Sequence, residues 1–341
     1  MPKQHMTIPI FVPHLGCPHR CLFCNQWSAS GAKNVPDRET VARAVDEYRS
    51  TAAPGTETEL AFFGGSFTAI ERGKQTELLS AAHEQKKKGT IRAIRLSTRP
   101  DCISAEALDL LCRYEVDTVE LGAQSFHDDV LEAAGRGHSA EDTLNAAGMI
   151  RSRGMGLVIQ LMPGLPRDTA EKSVASARQA ADLAPDAVRI YPTVVIRGTG
   201  LEKMWQSGEY VPLSLEAAVA WCADQYSLFA AKNIPVIRMG LHPFSPDEAS
   251  SILAGPYHPA FGFMVKARTK RAILEKSLRD FLRHRHGGNP GRLMLHLPHN
   301  GIEEYIGHRR ENIRYLEQLF DITGLEYRMA ETKEAYYSVK D

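Results

Sequence analysis

The first 240 residues alternate between short apolar runs and longer segments with helical periodicity, and this alternation constrains the fold more than any other feature. The runs are rich in Val, Ile, Leu and Phe, and apolar residues recur every three to four positions in the segments between them. Such an order implies parallel strands with right-handed crossovers, covered on both faces. The runs occupy 7–12, 58–63, 91–97, 117–122, 156–162 and 187–191, with a candidate closing strand at 234–239.

Two α/β architectures fit this alternation, an open doubly wound sheet and a partial barrel. In both of them, ligands bind at the carboxyl ends of the strands. Polar and glycine-rich segments follow the strands here, so we expect a binding site assembled from them. They read CPHRCLFC, GGSF, STRPD, GAQS, MPGLP and YPTVVIRGTG.

The pattern changes after about residue 240, where a stretch rich in Pro, Gly and Ser begins. A basic helix is predicted near 263–285, and it is followed by a strand, a helix and a strand at 292–297, 303–319 and 325–329. We therefore predict two domains. Residues 1–240 form the α/β unit, and residues 241–341 form a small α+β domain.

Composition excludes several classes of protein. Apolar residues make up 43% and charged residues 24%, which excludes wholesale disorder, and a formal net charge of zero provides no global field for a nucleic acid. No apolar run approaches the ~20 residues of a membrane helix, and the proline-broken N-terminus does not fit a secretory segment. We expect a cytoplasmic protein with no membrane partner. Three cysteines in apolar periodic surroundings are predicted to be buried thiols: Cys102, Cys112 and Cys222.

The other three cysteines, Cys17, Cys21 and Cys24, crowd into eight residues directly after the first strand. Thiolates at this spacing can hold one cubane iron–sulfur cluster, each on a different iron. Three ligands leave the fourth iron open for an added ligand, whereas a structural zinc ion normally takes four protein ligands. A zinc loop completed by His14 or His19 is the alternative, although all its ligands would then come from one short loop.

This cysteine loop resembles the signature of the radical-SAM superfamily. There, the open iron of a [4Fe–4S] cluster binds S-adenosylmethionine (SAM), and the reduced cluster cleaves it to a 5′-deoxyadenosyl radical that abstracts hydrogen from a substrate. The resemblance implies a partial (β/α)6 barrel over residues 1–240, a cluster held by the three cysteines, and SAM as cofactor. It also implies a reductase or a flavodoxin- or ferredoxin-type electron donor. Phe23 matches an aromatic position near the adenine.

Other strand ends match the SAM-binding part of the superfamily. Gly64 and Gly65 resemble the glycine motif whose backbone receives the methionine amino group, although an ordinary glycine turn is the alternative. The family usually has an acidic residue where Ser66 stands. Gln124 can both donate and accept, which suits ribose hydroxyls or the carboxylate of SAM, and Thr98 can supply a hydroxyl.

Within the superfamily, four segments resemble the elongator catalytic subunit branch: STRPD, LGAQSF, RGH and YPTVVIRGTG. LGAQSF also resembles oxygen-independent coproporphyrinogen oxidases. Arg99, Tyr191 and Arg197 are candidates for substrate contact, with a packed tyrosine and a surface arginine as alternatives. Glu120 lies mid-strand, where an unpaired buried carboxyl is costly, so it is expected to be either functional or exposed.

The C-terminal region carries a concentrated positive charge. Residues 262–292 contain nine Lys or Arg against two acids. Such a stripe is the footprint that a phosphate backbone requires, although a solvated helix face is the alternative. The family resemblance favours RNA contact through Lys266, Arg268, Lys270, Arg271 and Arg279.

Segments 255–262 and 306–319 resemble the C-terminal extension of the elongator branch, so the resemblance covers nearly the whole chain. Enzymes of that branch carry an acetyltransferase domain after the radical-SAM half, and the 341 residues leave no room for it. We therefore expect SAM cleavage and hydrogen abstraction without acetyl transfer. A nucleic-acid base is the favoured substrate. A small metabolite or porphyrin, and a non-catalytic metal-binding RNA adaptor, are the alternatives.

Overall fold

Seven parallel strands form one curled sheet, a half-barrel in which strand order follows the chain. A computed structural model describes residues 5–12, 17, 19, 21–25, 35–241, 250–284, 292–322 and 324–339. A doubly wound sheet reverses its strand order at a switch point, and this sheet does not, so the partial-barrel alternative is confirmed. The strands are β1 (His5–Val12), β2 (Glu57–Gly64), β3 (Ala93–Thr98), β4 (Thr118–Gln124), β5 (Gly156–Leu161), β6 (Ala187–Ile190) and β8 (Val236–Met239).

Helices connect the strands and cover the sheet. The first of them begins directly after Asp37, whose side chain accepts a hydrogen bond from Thr40 N at 2.8 Å and so caps the helix. Two additional strands that the sequence did not predict, β7 (Val195–Ile196) and β9 (Ile252–Ala254), pair with each other beside the barrel. The helices are α1 (Arg38–Thr51), α2 (Arg72–Lys87), α3 (Ala105–Arg113), α4 (Asp128–Ala133), α5 (Ala140–Ser152), α6 (Ala170–Asp182), α7 (Gly200–Gln206) and α8 (Leu215–Ala231).

The C-terminal part is a three-stranded sheet covered by helices, as the α+β prediction requires. The predicted helix over 303–319 is wrong in one respect, because the chain breaks at Gly307, which has φ 74° and ψ 171°. The last strand was also not predicted. The elements are α9 (Phe261–Arg283), β10 (Leu293–Pro298), α10 (Ile302–Ile306), α11 (Glu311–Leu319), β11 (Leu325–Ala330) and β12 (Tyr336–Val339).

Helix α9 joins two hydrophobic cores. Phe261 and Val265 in its first half belong to the barrel core, and Leu274 and Leu278 in its second half belong to the core under the C-terminal sheet. The packing therefore changes from one core to the other within this helix. The domain division at residue 240 stays a prediction.

The isolated cysteines differ in exposure. Cys222 is buried in the barrel core and Cys102 is half-buried, but Cys112 is exposed near the end of α3, so its predicted burial is wrong. The helical period placed Cys112 close to the apolar face without showing where that face ends. No helix in the described part of the chain is both long and apolar enough to span a membrane.

Candidate active site

A cavity of about 310 Å³ opens at the carboxyl ends of the barrel strands. It brings together residues from the cysteine loop and from the ends of β2, β3, β4 and β6, as expected for parallel strands. Arg197 is exposed and is not among the described residues that line the cavity. The residues that were predicted from sequence and do line it are Cys17, Cys21, Phe23, Cys24, Gly64, Gly65, Ser66, Thr98, Arg99, Gln124 and Tyr191.

The thiols of Cys17 and Cys21 have polar neighbours in this cavity. Cys17 Sγ lies 3.6 Å from the hydroxyl of Ser66, the residue that stands where the family usually has an acid. Cys21 Sγ accepts from two guanidinium groups, at 3.3 Å from Arg136 Nη1 and 3.6 Å from Arg99 Nη1. Cationic donors stabilise a thiolate, which is the form of cysteine that binds iron.

The backbone of the cysteine loop is tied to two helices. Leu22 N donates to Ala134 O, next to the end of α4, at 3.0 Å, and Leu22 O accepts from Leu201 N in α7 at 2.7 Å. Phe23 packs between small hydrophobic clusters at these same helices. These contacts hold the loop over the cavity.

The donor set, three thiols that line one cavity, fits an iron–sulfur cluster, because a cubane takes each thiolate on a different iron. His14, one of the two histidines in the zinc alternative, lies outside the described residues, and His19 Nε2 lies 3.9 Å from an Asp101 carboxylate oxygen.

The arginines near Cys21 are themselves held firmly. Arg99 makes a bidentate pair with Asp101, with Nε 2.9 Å from Oδ1 and Nη2 3.1 Å from Oδ2. The guanidinium therefore already binds a carboxylate of the protein itself. Arg136 is buried, donates to Gly122 O as well as to Cys21, and its Nε makes no hydrogen bond with any described group. Burial and both guanidiniums lower the pKa of neighbouring His138 to about 4, so its ring is neutral at pH 7.

The end of β2 requires glycine. Gly64 has φ +107°, and a Cβ added there would lie 2.5 Å from Val12 O in the adjacent strand. Gly65 N donates to the same carbonyl at 2.8 Å. This close approach of β1 and β2 places a backbone without side chains at the cavity wall, where a ligand can reach it.

Replacing Gly64 with alanine is therefore expected to lower the free energy of unfolding by on the order of 2 kcal/mol or more, since the added Cβ meets backbone and strains φ. Gly148 in α5 is the matched control. It has ordinary helical φ, and no described atom lies within 4 Å of an added Cβ, so Gly148→Ala should stabilise by about 0.5–1 kcal/mol. Urea denaturation measures both. Equal effects of the two substitutions would contradict the structure.

Gln124 occupies a strained position at the end of β4. Its φ is +67°, and the register between β4 and β5 shifts just before it. Its Oε1 accepts from Gln160 Nε2 at 3.0 Å. Strained non-glycine residues cluster at ligand sites, and this one is aimed at the cavity. The hydroxyl of Thr98, which was also predicted to bind the cofactor, lies 2.6 Å from the hydroxyl of Thr68.

Charged side chains lie inside the barrel at the cavity and next to it. The sequence indicated only one of them, Glu120. Glu120 is buried, and its Oε2 lies 3.2 Å from Arg189 Nε. Burial raises the pKa of the Glu120 carboxyl, while Arg189 and Arg95 oppose that rise. Arg189 Nη1 also donates to the Tyr191 hydroxyl at 3.1 Å. Of the two expectations for Glu120, exposure is wrong.

The basic stripe on α9 is partly engaged within the protein. Four of its side chains contact acids or aromatic rings of the C-terminal part: Lys266 with Glu304 (3.3 Å), Lys270 with the ring of Tyr305 (4.5 Å), Arg271 with the ring of Tyr315 (4.5 Å) and Arg279 with Glu275 (2.8 Å). Arg285 lies outside the described residues. RNA contact through this stripe stays a prediction.

A second cavity, of about 550 Å³, lies beside α4 and α8 and contains Asp168. Burial raises the pKa of this carboxyl to about 6, although Gly164 N and Thr169 N donate to it. In the unfolded chain the Asp168 carboxyl has its ordinary pKa of about 4, so it loses its proton at lower pH there than in the folded protein. Stability therefore falls as pH rises from about 4 to about 6.

We expect wild type to lose on the order of 2–3 kcal/mol over that pH range relative to Asp168→Asn, which carries no titrating group. Urea denaturation at several pH values measures the difference. Parallel stability curves for the two proteins would show that the carboxyl titrates normally.

The chain matches known protein families over most of its length. The model of the radical SAM superfamily matches residues 11–180, and that of the radical SAM C-terminal domain matches residues 185–271. A tRNA uridine(34) acetyltransferase of Methanocaldococcus infernus is 30% identical over 243 residues, covering 60% of this chain and 46% of that protein. Elongator complex protein 3 of Saccharomyces cerevisiae is 33% identical over 129 residues, covering 37% of this chain and 23% of its own.

The fold is also that of a solved relative. Archaeal Methanocaldococcus infernus Elp3 with an N-terminal deletion superposes with a TM-score of 0.64 at 24% identity, over 80% of this chain and 64% of that one. The chain spans about half the length of the first curated relatives it matches. Members of the matched superfamily are enzymes that use an iron–sulfur cluster and SAM. On the evidence of its cysteine loop, its half-barrel and both family matches, the chain belongs to the radical SAM superfamily.

Proposed function

We propose that Cys17, Cys21 and Cys24 hold a [4Fe–4S] cluster with one open iron, and that the chain uses it with SAM to abstract hydrogen from a nucleic-acid base. The observation that carries the proposal is the single cavity that joins all three thiols to the glycine end of β2 and to Gln124. The cluster and SAM together supply one-electron cleavage of a sulfonium and, from it, hydrogen-atom abstraction.

The chain's own residues bind and orient these groups. Backbone at Gly64 and Gly65 receives the methionine amino group, and Gln124 contacts the ribose or the carboxylate. Phe23 lies against the adenine. Thr98 and Ser66 line the same wall, and the Ser66 hydroxyl is directed at Cys17.

The nucleic-acid substrate is supported by two features. The curated relatives include enzymes named for tRNA uridine(34), and this chain covers about half of their length. The stripe on α9 also keeps partly exposed cations: the side chains of Lys266 and Arg279 are 40% and 47% exposed while paired. The electron comes from a reductase or a flavodoxin- or ferredoxin-type donor, which fits a cytoplasmic location.

The test is anaerobic reconstitution with iron and sulfide, followed by dithionite and SAM. We expect 5′-deoxyadenosine and methionine in equal amounts, and none without dithionite. A fully loaded cluster that yields no 5′-deoxyadenosine would refute the enzymatic part of the proposal.

RNA binding needs a separate test, since it can fail alone. Unfractionated tRNA should bind in a salt-dependent manner. The double variant Arg268→Glu/Lys276→Glu, which reverses two charges of the α9 stripe, should weaken binding. It should also lower the slope of log affinity against log salt concentration by about 1 per lost contact. Arg92→Glu is the control, because Arg92 is exposed and precedes β3 at the end of the barrel opposite the cavity. Equal weakening by the control would count against the stripe.

A further inference from the structure

The floor of the active-site cavity contains a buried carboxyl group, Glu120, and one of its two oxygens has no hydrogen-bond donor among the described residues. Glu120 is 2% exposed and lines the cavity, yet its Oε2 makes no hydrogen bond with any described group. Arg189 Nε is 3.2 Å away but not aligned to donate to it. A buried acceptor without a donor costs free energy unless a ligand supplies the donor.

Tyr191 provides the complementary group beside it. Its hydroxyl accepts from Arg189 Nη1 at 3.1 Å and also lines the cavity. Because a phenol both accepts and donates, the bond from Arg189 leaves the Tyr191 proton for another acceptor. Arg189 thus positions both groups from below, and its guanidinium also stacks 5.0 Å from the ring of Phe63.

We propose that Glu120 and Tyr191 bind the substrate through hydrogen bonds to a neutral planar edge that carries an N–H beside a C=O. Glu120 accepts from the N–H, Tyr191 donates to the C=O, and Arg189 is a positioning residue. The inference rests on the proposed function, because it assigns the substrate contact of the same cavity.

A second ion pair in the barrel serves as the internal comparison. Glu59 and Arg95 pair at 2.8 Å, both are nearly buried, and neither lines the cavity. If burial of a carboxylate in the lumen were only structural, substitution at Glu59 and at Glu120 would have the same consequences. If Glu120 contacts substrate, only its replacement should change ligand affinity.

The experiment measures binding of radiolabelled uridine and 3-methyluridine by equilibrium dialysis, with cluster-loaded, unreduced protein and SAM. Uridine offers the N–H beside C=O, and methylation removes that N–H. We expect wild type to prefer uridine by about tenfold or more. Glu120→Gln and Tyr191→Phe should each weaken uridine binding about fivefold or more. Glu120→Gln replaces a charged acceptor with a neutral one and should therefore reduce the preference, while Glu59→Gln leaves both values within twofold.

Dithionite-dependent 5′-deoxyadenosine formation without substrate is measured on wild type and on Glu59→Gln, where it should be equal, and iron content is measured on every variant to show that the cluster is loaded. Uridine affinity within twofold of wild type in both Glu120→Gln and Tyr191→Phe would overturn the inference, as would absence of uridine binding to wild type. Neither result requires wild type to lose 5′-deoxyadenosine formation, so each is distinguishable from failure of the proposed function.

Discussion

Replacement of Cys21 with alanine is expected to remove the cluster and lower 5′-deoxyadenosine formation at least about a hundredfold. Cys21 is one of three proposed ligands, and its sulfur is also the acceptor for Arg99 and Arg136. The substitution therefore deletes an iron ligand and leaves two guanidiniums facing a site without its thiolate. Bound iron should fall from about four per chain to background.

Cys222→Ala is the matched control for this experiment. Cys222 is buried in the barrel core, far in sequence from the loop, and burial raises the pKa of its thiol. The substitution should cost some stability but leave iron content and 5′-deoxyadenosine formation unchanged. Full iron content in Cys21→Ala, or an equal loss in Cys222→Ala, would contradict the assignment of the ligands.

The second large effect is expected at Arg136. This residue donates to Cys21 and to Gly122 O from a buried position, so Arg136→Met removes a cationic donor next to the cluster. Loss of an outer partner of a metal ligand typically costs about 10–100-fold in metal affinity or activity. Hydrogen bonds to sulfur also favour the reduced cluster, so the midpoint potential should become more negative.

Iron retention against a chelator and an EPR-monitored redox titration measure these two consequences. Arg153→Met is the control, since Arg153 pairs with Asp109 at the surface and surface pairs contribute little. A merely structural role for Arg136 would lower stability without moving the potential. An unchanged potential with unchanged iron retention would remove Arg136 from the site.

The sequence pattern predicted the parallel strands and the cavity at their carboxyl ends because these signals are local, whereas the choice of a partial barrel came from the family resemblance. Each apolar run was followed by its own polar segment, and parallel strands bring such segments to one edge. The floor of the cavity was not predicted beyond Glu120, because its charges sit singly within apolar strands. That Arg189 meets Glu120 depends on β4 and β6 lying on either side of β5 in the sheet, which periodicity does not encode.

Two other differences have similar causes. Arg99 was predicted as a candidate for substrate contact, and its guanidinium pairs with the carboxylate of Asp101 two residues away. Its contact with substrate stays a prediction. The helix predicted over 303–319 followed its apolar period correctly, but Gly307 adopts a conformation that ends α10 and starts a new direction.

The central claim is that three cysteines hold a [4Fe–4S] cluster whose fourth iron is open to SAM. EPR of the anaerobically reconstituted and reduced protein, recorded with and without SAM, tests it directly. The account predicts a [4Fe–4S] signal that changes shape when SAM is added. One zinc ion without iron, or a cluster signal that SAM leaves unchanged, would contradict it.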